Sequence, residues 1–343
     1  MAEALASKYR PHNFDDVVGQ EQVIKILLNQ LETGNTKQAY CFVGGAGTGK
    51  TTLARIMARA VNGDAKTPEI IEIDAASNNG VDAIRELRES VKFKPITSKF
   101  KVYVLDEVHM LSTGAFNALL KTLEEPPPHA VFILATTDPQ KIPATILSRV
   151  QRFDFSRMTV EQIVGRLQFI IDEENEAGNQ IEVADDVLEY LAKLANGGMR
   201  NSISLLDTVL GYSATPTLND VFNILGVPDF EQYLDMMVYL HNNQVDAIIN
   251  LTETLHVQGK DMKRFVSGLM EFLVDFQKIS IMNSYEFVQI PSAYFDRIDG
   301  ALRVLTMEEV REWFSALTAV SARIKYEHNP KTIVQGELMG LCQ

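Results

Sequence analysis

Apolar residues follow two different rhythms along the chain. Short unbroken runs occur at AYCFV (39–43), IIEI (70–73), KVYVL (101–105) and VFILA (131–135), with a weaker one at QRFDF (151–155). Their length and β-branched content suit strands buried on both faces, as in a parallel sheet. Between them, apolar positions recur at helical spacing in 49–62, 81–91, 114–124 and a short 143–149. This alternation predicts an α/β unit whose five parallel strands are joined by crossovers. From about residue 159 only the helical rhythm remains, in MTVEQIVGRLQFIIDEENEAG, DDVLEYLAKLANGG, MRNSISLLDTVL and further helices. Gly197 and Gly198 read as a helix C-cap and hinge. The expected layout is an α/β domain over 1–158, a small helical domain over 159–213 and a larger all-α domain over 214–343.

Composition narrows the classes. With 343 residues, 46% hydrophobic and 22% charged, the chain reads as folded and too long for one ordinary core. Only Cys41 and Cys342 are present, so neither a disulfide framework nor a cysteine-based zinc site is expected, which fits a reducing cytoplasmic location. The opening MAEALASKYRPHNF has no apolar leader, and no stretch reaches the ~18 apolar residues of a membrane span. Net charge is −13 but uneven: residues 1–160 hold 19 Lys+Arg against 18 Asp+Glu, residues 161–190 hold 1 against 9, and residues 191–343 hold 12 against 18. A nucleic-acid surface, which needs cations for phosphates, is therefore expected only in the first segment.

Five features carry chemistry. GGAGTGKT (44–51) follows a strand and opens a helix, as a phosphate-binding loop must. Glycines let backbone N–H groups curl round phosphates, Lys50 reaches the β and γ phosphates, and the Thr51 hydroxyl holds Mg²⁺. Asp106 and Glu107 end a buried strand, where an Asp can hold the metal and the Glu can polarise the attacking water. Thr137 ends the next strand within reach of the γ phosphate or the water. Arg149 closes a short helix and, in the usual strand order, serves a neighbouring subunit's nucleotide. Arg200 starts a helix that can fold down on the nucleotide.

In this order the features are the pattern of an AAA+ ATPase. SKYRPHNFDDVVGQ (7–20), IEIDAASNNGVDAIRELRE (71–89), KVYVLDEVHMLSTGAFNALLKTLEEPPPH (101–129), ILATTDPQKIPATILSRVQRFDF (133–155) and GGMRNSISLLD (197–207) resemble the gamma/tau family of bacterial DNA polymerase III clamp-loader subunits. The resemblance is dense in 1–210 and thin after it. It implies an AAA+ domain with a five-stranded parallel sheet, a helical lid and an all-α collar. By position it implies Lys50 and Thr51 as phosphate and Mg²⁺ ligands, Asp106 and Glu107 as the Walker B pair, Thr137 as sensor 1, Arg149 as a trans arginine finger and Arg200 as sensor 2. Tyr9, Arg10, Pro11 and Val18 would line the adenine pocket, and Gly44, Gly45, Ala46, Gly47, Thr48, Gly49 and Thr52 would complete the site for ATP or ADP. Asn78, Asn79 and Lys121 look like the family's DNA contacts, with Lys121 placed to relay to Glu107. Lys92, Lys94, Lys99 and Lys101 read instead as a solvated strand edge.

Implied partners are delta- and delta-prime-like subunits, further copies of the chain, a sliding clamp and primer–template DNA, with no membrane. The sequence departs from the family in three places. GDAKTPE (63–69) replaces a four-cysteine zinc module, so no zinc is expected, the more so because His12, His109, His129, His241, His256 and His328 show no ligand spacing. Val150 follows Arg149 where the family has Cys. The long tau tail is missing, which suits a compact viral form, a minimal bacterial one or a trimmed chain. A non-hydrolysing structural subunit is the first alternative, though such subunits lose the loop Lys or the Walker B Glu. Another AAA+ DNA motor, such as a branch-migration helicase, is the second, though it would normally continue into a winged helix.

Overall fold

The computed structural model describes residues 3–63, 65–226, 229–288, 290–327 and 329–342, so Asp64 of the 63–69 segment and His328 lie outside the described residues. Two compact units emerge, Met1–Ile170 with Ala195–Leu205, and Ile171–Leu194 with Leu206–Gln343.

The first unit runs α1 (Leu5–Lys8), α2 (Glu21–Glu32), β1 (Ala39–Gly44), α3 (Lys50–Ala60), β2 (Ile70–Asp74), α4 (Val81–Val91), β3 (Lys101–Asp106), α5 (Thr113–Glu124), β4 (Ala130–Thr136), α6 (Ala144–Leu147) and β5 (Gln151–Phe155). All five strands are parallel, in the order β2-β3-β4-β1-β5. Successive strand side chains point to opposite faces, so each apolar run feeds two cores. Cys41, Val43, Tyr103, Leu105, Phe132 and Leu134 pack with Ile84, Leu87, Phe116 and Leu119 of α4 and α5. Tyr40, Phe42, Val102, Val104 and Ile133 pack with Leu27, Leu53 and Met57 of α2 and α3. Burial holds the Cys41 thiol up at about 11. The weak run at 151–155 is nevertheless a strand because it lies at the edge: Phe153 and Phe155 enter the core while Arg152 and Asp154 stay exposed as an ion pair.

Strand order positions the chemistry. Val43 lies beside Thr136 and Gly44 beside Phe155, while Leu105 on the far side of β4 lies beside Leu134. The carboxyl ends of β1, β4 and β3 are therefore neighbours on one edge of the sheet, where open α/β sheets bind ligands.

The chain continues through α7 (Val160–Glu176), α8 (Asp185–Leu194) and α9 (Met199–Leu210), then α10 (Leu218–Leu225), α11 (Phe230–His241), α12 (Val245–Val257), α13 (Met262–Met282), α14 (Phe295–Leu302), α15 (Met307–Ile324) and α16 (Pro330–Gly340). Asn196 and Gly197, both at positive φ, take the chain out of α8 as expected of a C-cap. The second unit is helical, with an aromatic core in which Phe230 meets Tyr190 at 5.7 Å and Phe272 at 5.9 Å. Reciprocal capping boxes, Thr217 with Asp220, Asp229 with Gln232 and Thr306 with Glu309, fix the starts of α10, α11 and α15. Among the described residues no helix is long and apolar enough to cross a membrane.

Candidate active site

Leaving β1, the chain must turn sharply before α3 can begin. Gly47 (φ +74°) and Gly49 (φ +96°) supply the left-handed backbone this requires. The unpaired N–H groups of the first turn of α3 and its dipole then favour an anion at the sheet's carboxyl edge. A cleft of about 330 Å³ lies there, and Tyr9, Arg10, Pro11, Val18, Ala46, Gly47, Gly49, Lys50, Thr51, Thr52, Asp106, Glu107 and Arg200 all line it. Gly44, Gly45 and Thr48 stand behind this lining. Thr48 is buried, and its hydroxyl donates to the Gly45 carbonyl at 2.9 Å, bracing the loop from within.

Positive charge converges on the cleft. Lys50 is buried, and its Nζ donates to the carbonyls of Gly44 at 3.0 Å and Gly45 at 2.7 Å. Burial pulls its pKa down, and the charges of Glu107 and Asp106 push back. Burial likewise lowers the pKa of Arg10, helped by the guanidiniums of Arg55 and Arg200 and opposed by Glu72 and Asp106. Arg55 is neutralised by Glu72 at 2.6 Å. Among the described residues, the guanidiniums of Arg10 and Arg200 have no hydrogen-bond or ion-pair partner.

The carboxylates are placed as strictly. The Thr51 hydroxyl donates to Asp106 Oδ2 at 2.8 Å, so two oxygens that could ligate a hard cation stand side by side. The Glu107 N–H donates to Asp106 Oδ1 at 3.0 Å. Glu107 itself adopts φ +45°, a conformation rare outside glycine that marks functional turns. Thr137 does not line the cleft; its hydroxyl donates to Glu107 Oε2 at 3.1 Å.

Several supporting contacts have no local sequence signal of their own. The buried Gln20 side chain donates to the Ser156 carbonyl at 2.8 Å and accepts from the Ser156 N–H at 3.1 Å, tying the N-terminal segment to the end of β5. Arg166 of α7 lines the cleft and donates to the Tyr9 carbonyl at 2.9 Å. A Cβ on Gly198 would lie 3.1 Å from the Ala46 carbonyl oxygen, tighter than most side-chain contacts, so the phosphate loop and the start of α9 meet backbone to backbone. That approach brings Arg200 to the cleft.

Arg149 stands apart from the cleft lining. Its guanidinium donates to the Thr145 carbonyl at 2.7 Å and to Glu124 at 3.0 Å, across the end of α5. The DNA candidates lie on the α4–α5 layer. The Asn79 carbonyl accepts from Ser112 N–H at 3.0 Å, next to the start of α5, and the Asn78 amide donates to the Asp74 carbonyl at 3.1 Å. Lys121 is exposed two turns or more further along α5. Among the described residues, no three His, Cys, Asp or Glu side chains gather as metal ligands.

Two family models match the chain: DNA polymerase III, delta subunit, over residues 64–159, and DNA polymerase III subunits gamma and tau domain III, over residues 217–343. The chain is 39% identical to the DNA polymerase III subunit tau of Bacillus subtilis, over 99% of this chain and 63% of that protein. It is 42% identical to the tau subunit of Escherichia coli, over 78% of this chain and 44% of that protein. It therefore spans less than two thirds of these tau relatives. Against the DNA polymerase III subunit gamma of Buchnera aphidicola, identity is 34% over 82% of this chain and 81% of that one. Among solved structures, the Thermotoga maritima RuvB Holliday junction branch migration motor superposes with a TM-score of 0.50 at 21% identity, over 67% of this chain and 79% of that one, a likeness of fold alone. With a match across most of a whole gamma subunit joined to a phosphate loop, paired strand-end carboxylates and converging cations, the chain belongs to the DNA polymerase III gamma/tau subunit family.

Proposed function

We propose that the chain is the ATP-hydrolysing motor subunit of a sliding-clamp loader. ATP binding would assemble it with delta- and delta-prime-like subunits and further copies of itself into a spiral that opens the clamp on primer–template DNA, and hydrolysis would release it. The observation that carries this reading is the cleft in which Lys50, Arg10 and Arg200 converge without a carboxylate partner beside Thr51 and Asp106. Such a cavity fits a polyanion that arrives with its own cation.

In the proposed reaction, Lys50 and the loop amides hold the phosphates and Arg200 adds charge from α9. Thr51 and Asp106 would hold Mg²⁺, which shields the phosphate oxygens when bound. Water attacks the γ phosphorus as the bond to the β–γ bridging oxygen breaks, and the water's proton passes to Glu107, leaving ADP and phosphate. Arg149, outside its own cleft, supplies charge to a neighbour's γ phosphate. Asn78, Asn79 and Lys121 would meet DNA phosphates inside the assembly. Residues 1–158, 159–213 and 214–343 would serve as motor, lid and collar.

The intact Lys50 and Glu107 favour this reading over a non-hydrolysing subunit, despite the delta-subunit match at 64–159. Mg²⁺-dependent ATP hydrolysis is expected to be slow in the isolated chain and stimulated by clamp plus primed DNA. Hydrolysis that is fast alone and indifferent to both would contradict the proposal.

A further inference from the structure

We propose that His109 is a positioning residue for the hydrolytic step: together with Thr137 it fixes one carboxylate oxygen of Glu107 and leaves the other facing the cleft. This rests on the hydrolytic reading above. His109 sits in the 3₁₀ turn Val108–Met110 that follows Glu107, and only 11% of its side chain is exposed. Its Nδ1 lies 3.2 Å from Glu107 Oε2 and 3.2 Å from Thr136 Oγ1. Thr136 ends β4, is fully buried, and accepts the Asp138 N–H on the same hydroxyl oxygen at 3.0 Å. The imidazole is thus wedged between the Walker B turn and the end of the central strand.

Proton placement follows from the partners. The Glu107 carboxylate has only lone pairs to offer, so the ring nitrogen facing it must carry the hydrogen. Nδ1 is hydrogen-bonded with Thr136 Oγ1 and, as an N–H, sets its positive end 3.2 Å from Glu107 Oε2; the opposite tautomer would set a lone pair against a carboxylate. Thr137 donates to the same Oε2 at 3.1 Å. One oxygen is therefore hydrogen-bonded by Thr137 and faced electrostatically by His109, while Glu107 Oε1 has no partner among the described residues and Glu107 lines the cleft. A glutamate has three rotatable side-chain bonds, and anchoring one oxygen from two sides converts it into a base whose other oxygen has a defined place. That is the geometry a general base for water requires.

The test compares His109→Leu, which keeps bulk and removes the donor, with His109→Asn, which keeps an N–H donor near the position of Nδ1. Single-turnover hydrolysis in the clamp- and DNA-stimulated assembly is measured beside the dissociation constant for a fluorescent ATP analogue. The Leu variant is expected to hydrolyse roughly ten- to a hundredfold more slowly with affinity changed less than about twofold, since a misplaced base costs rate and not binding. The Asn variant is expected to recover most of the rate. A Leu variant that hydrolyses at the wild-type rate or faster overturns the role of His109 while leaving the hydrolytic reading standing, and so do equal losses in Leu and Asn. A wild-type chain that binds ATP yet never turns over in any assembly overturns the hydrolytic reading, and this inference with it.

Discussion

Two concavities among the described residues treat their charges in opposite ways. The groove of about 210 Å³ in the helical unit is lined by Leu234, Val238, His241 and Arg297 among others. Arg297 is answered by Glu231 at 3.0 Å and Asp235 at 3.0 Å, and His241 by Glu309 at 2.7 Å. Its charges are spent inside the fold. In the cleft of the α/β unit, among the described residues, Lys50 hydrogen-bonds only to carbonyls, and Arg10 and Arg200 form no ion pair. Burial lowers the pKa of Lys50 and of Arg10 against the opposing pull of Asp106, with Glu107 adding to it at Lys50, so an anion entering the cleft would be favoured there. Concavity alone does not mark a site; cations free of ion pairs at the carboxyl edge of a parallel sheet are the stronger sign.

Several substitutions sharpen or break this contrast. The largest effect is expected for Arg149→Ala if its guanidinium takes the proposed trans role: assembled, DNA-stimulated turnover should fall by roughly 10³–10⁵ with ATP binding and folding kept. Mixing it with Lys50→Ala, also inactive, should restore partial turnover wherever an intact Arg149 faces an intact Lys50. No rescue in a demonstrably mixed assembly would remove the trans role.

Glu107→Gln should cost about 10²–10⁴ in turnover while binding persists, because the amide cannot take the water's proton but leaves Asp106 and Lys50 in place. Normal hydrolysis by this variant would show that the strand-end pair is misassigned. Arg10→Ala and Arg200→Ala should each weaken ATP binding by roughly tenfold, the worth of one charge-assisted contact. Unchanged titrations would mean that their lack of partners carries no ligand information. The smallest effect belongs to the other concavity. Arg297→Ala should leave nucleotide binding untouched and lower stability by about 0–1 kcal/mol, since its ion pairs are largely exposed. A loss of ATP affinity there, read by the same titration, would erase the distinction between the two concavities.

How much of this was legible in the sequence depends on how far apart the cooperating residues lie. The strands at 39–43 and 131–135 could be read because a buried parallel strand is nearly all apolar. The phosphate loop and Asp106–Glu107 could be read because their chemistry is local to one turn and one strand end. Arg10 and Arg200 were separately legible, but their convergence depends on Gly198 meeting the phosphate loop. Gln20, His109 and Arg166 carry no motif of their own; each matters through a single contact made only when the chain closes. The pairing of Arg149 with Glu124 was likewise invisible, since any surface carboxylate within reach would serve. The helical second half offered periodicity and caps but no local chemistry, so its contribution is read from packing alone.

The central claim, that the converging cations of the α/β unit form a nucleotide site, is tested most directly by calorimetric titration of Mg·ATP into the wild-type chain and Lys50→Ala. The account expects one site per wild-type chain, weakened by added salt, and at least a hundredfold loss in Lys50→Ala, about 2.7 kcal/mol. Equal binding by both chains, or no heat of binding in the wild type, would contradict it.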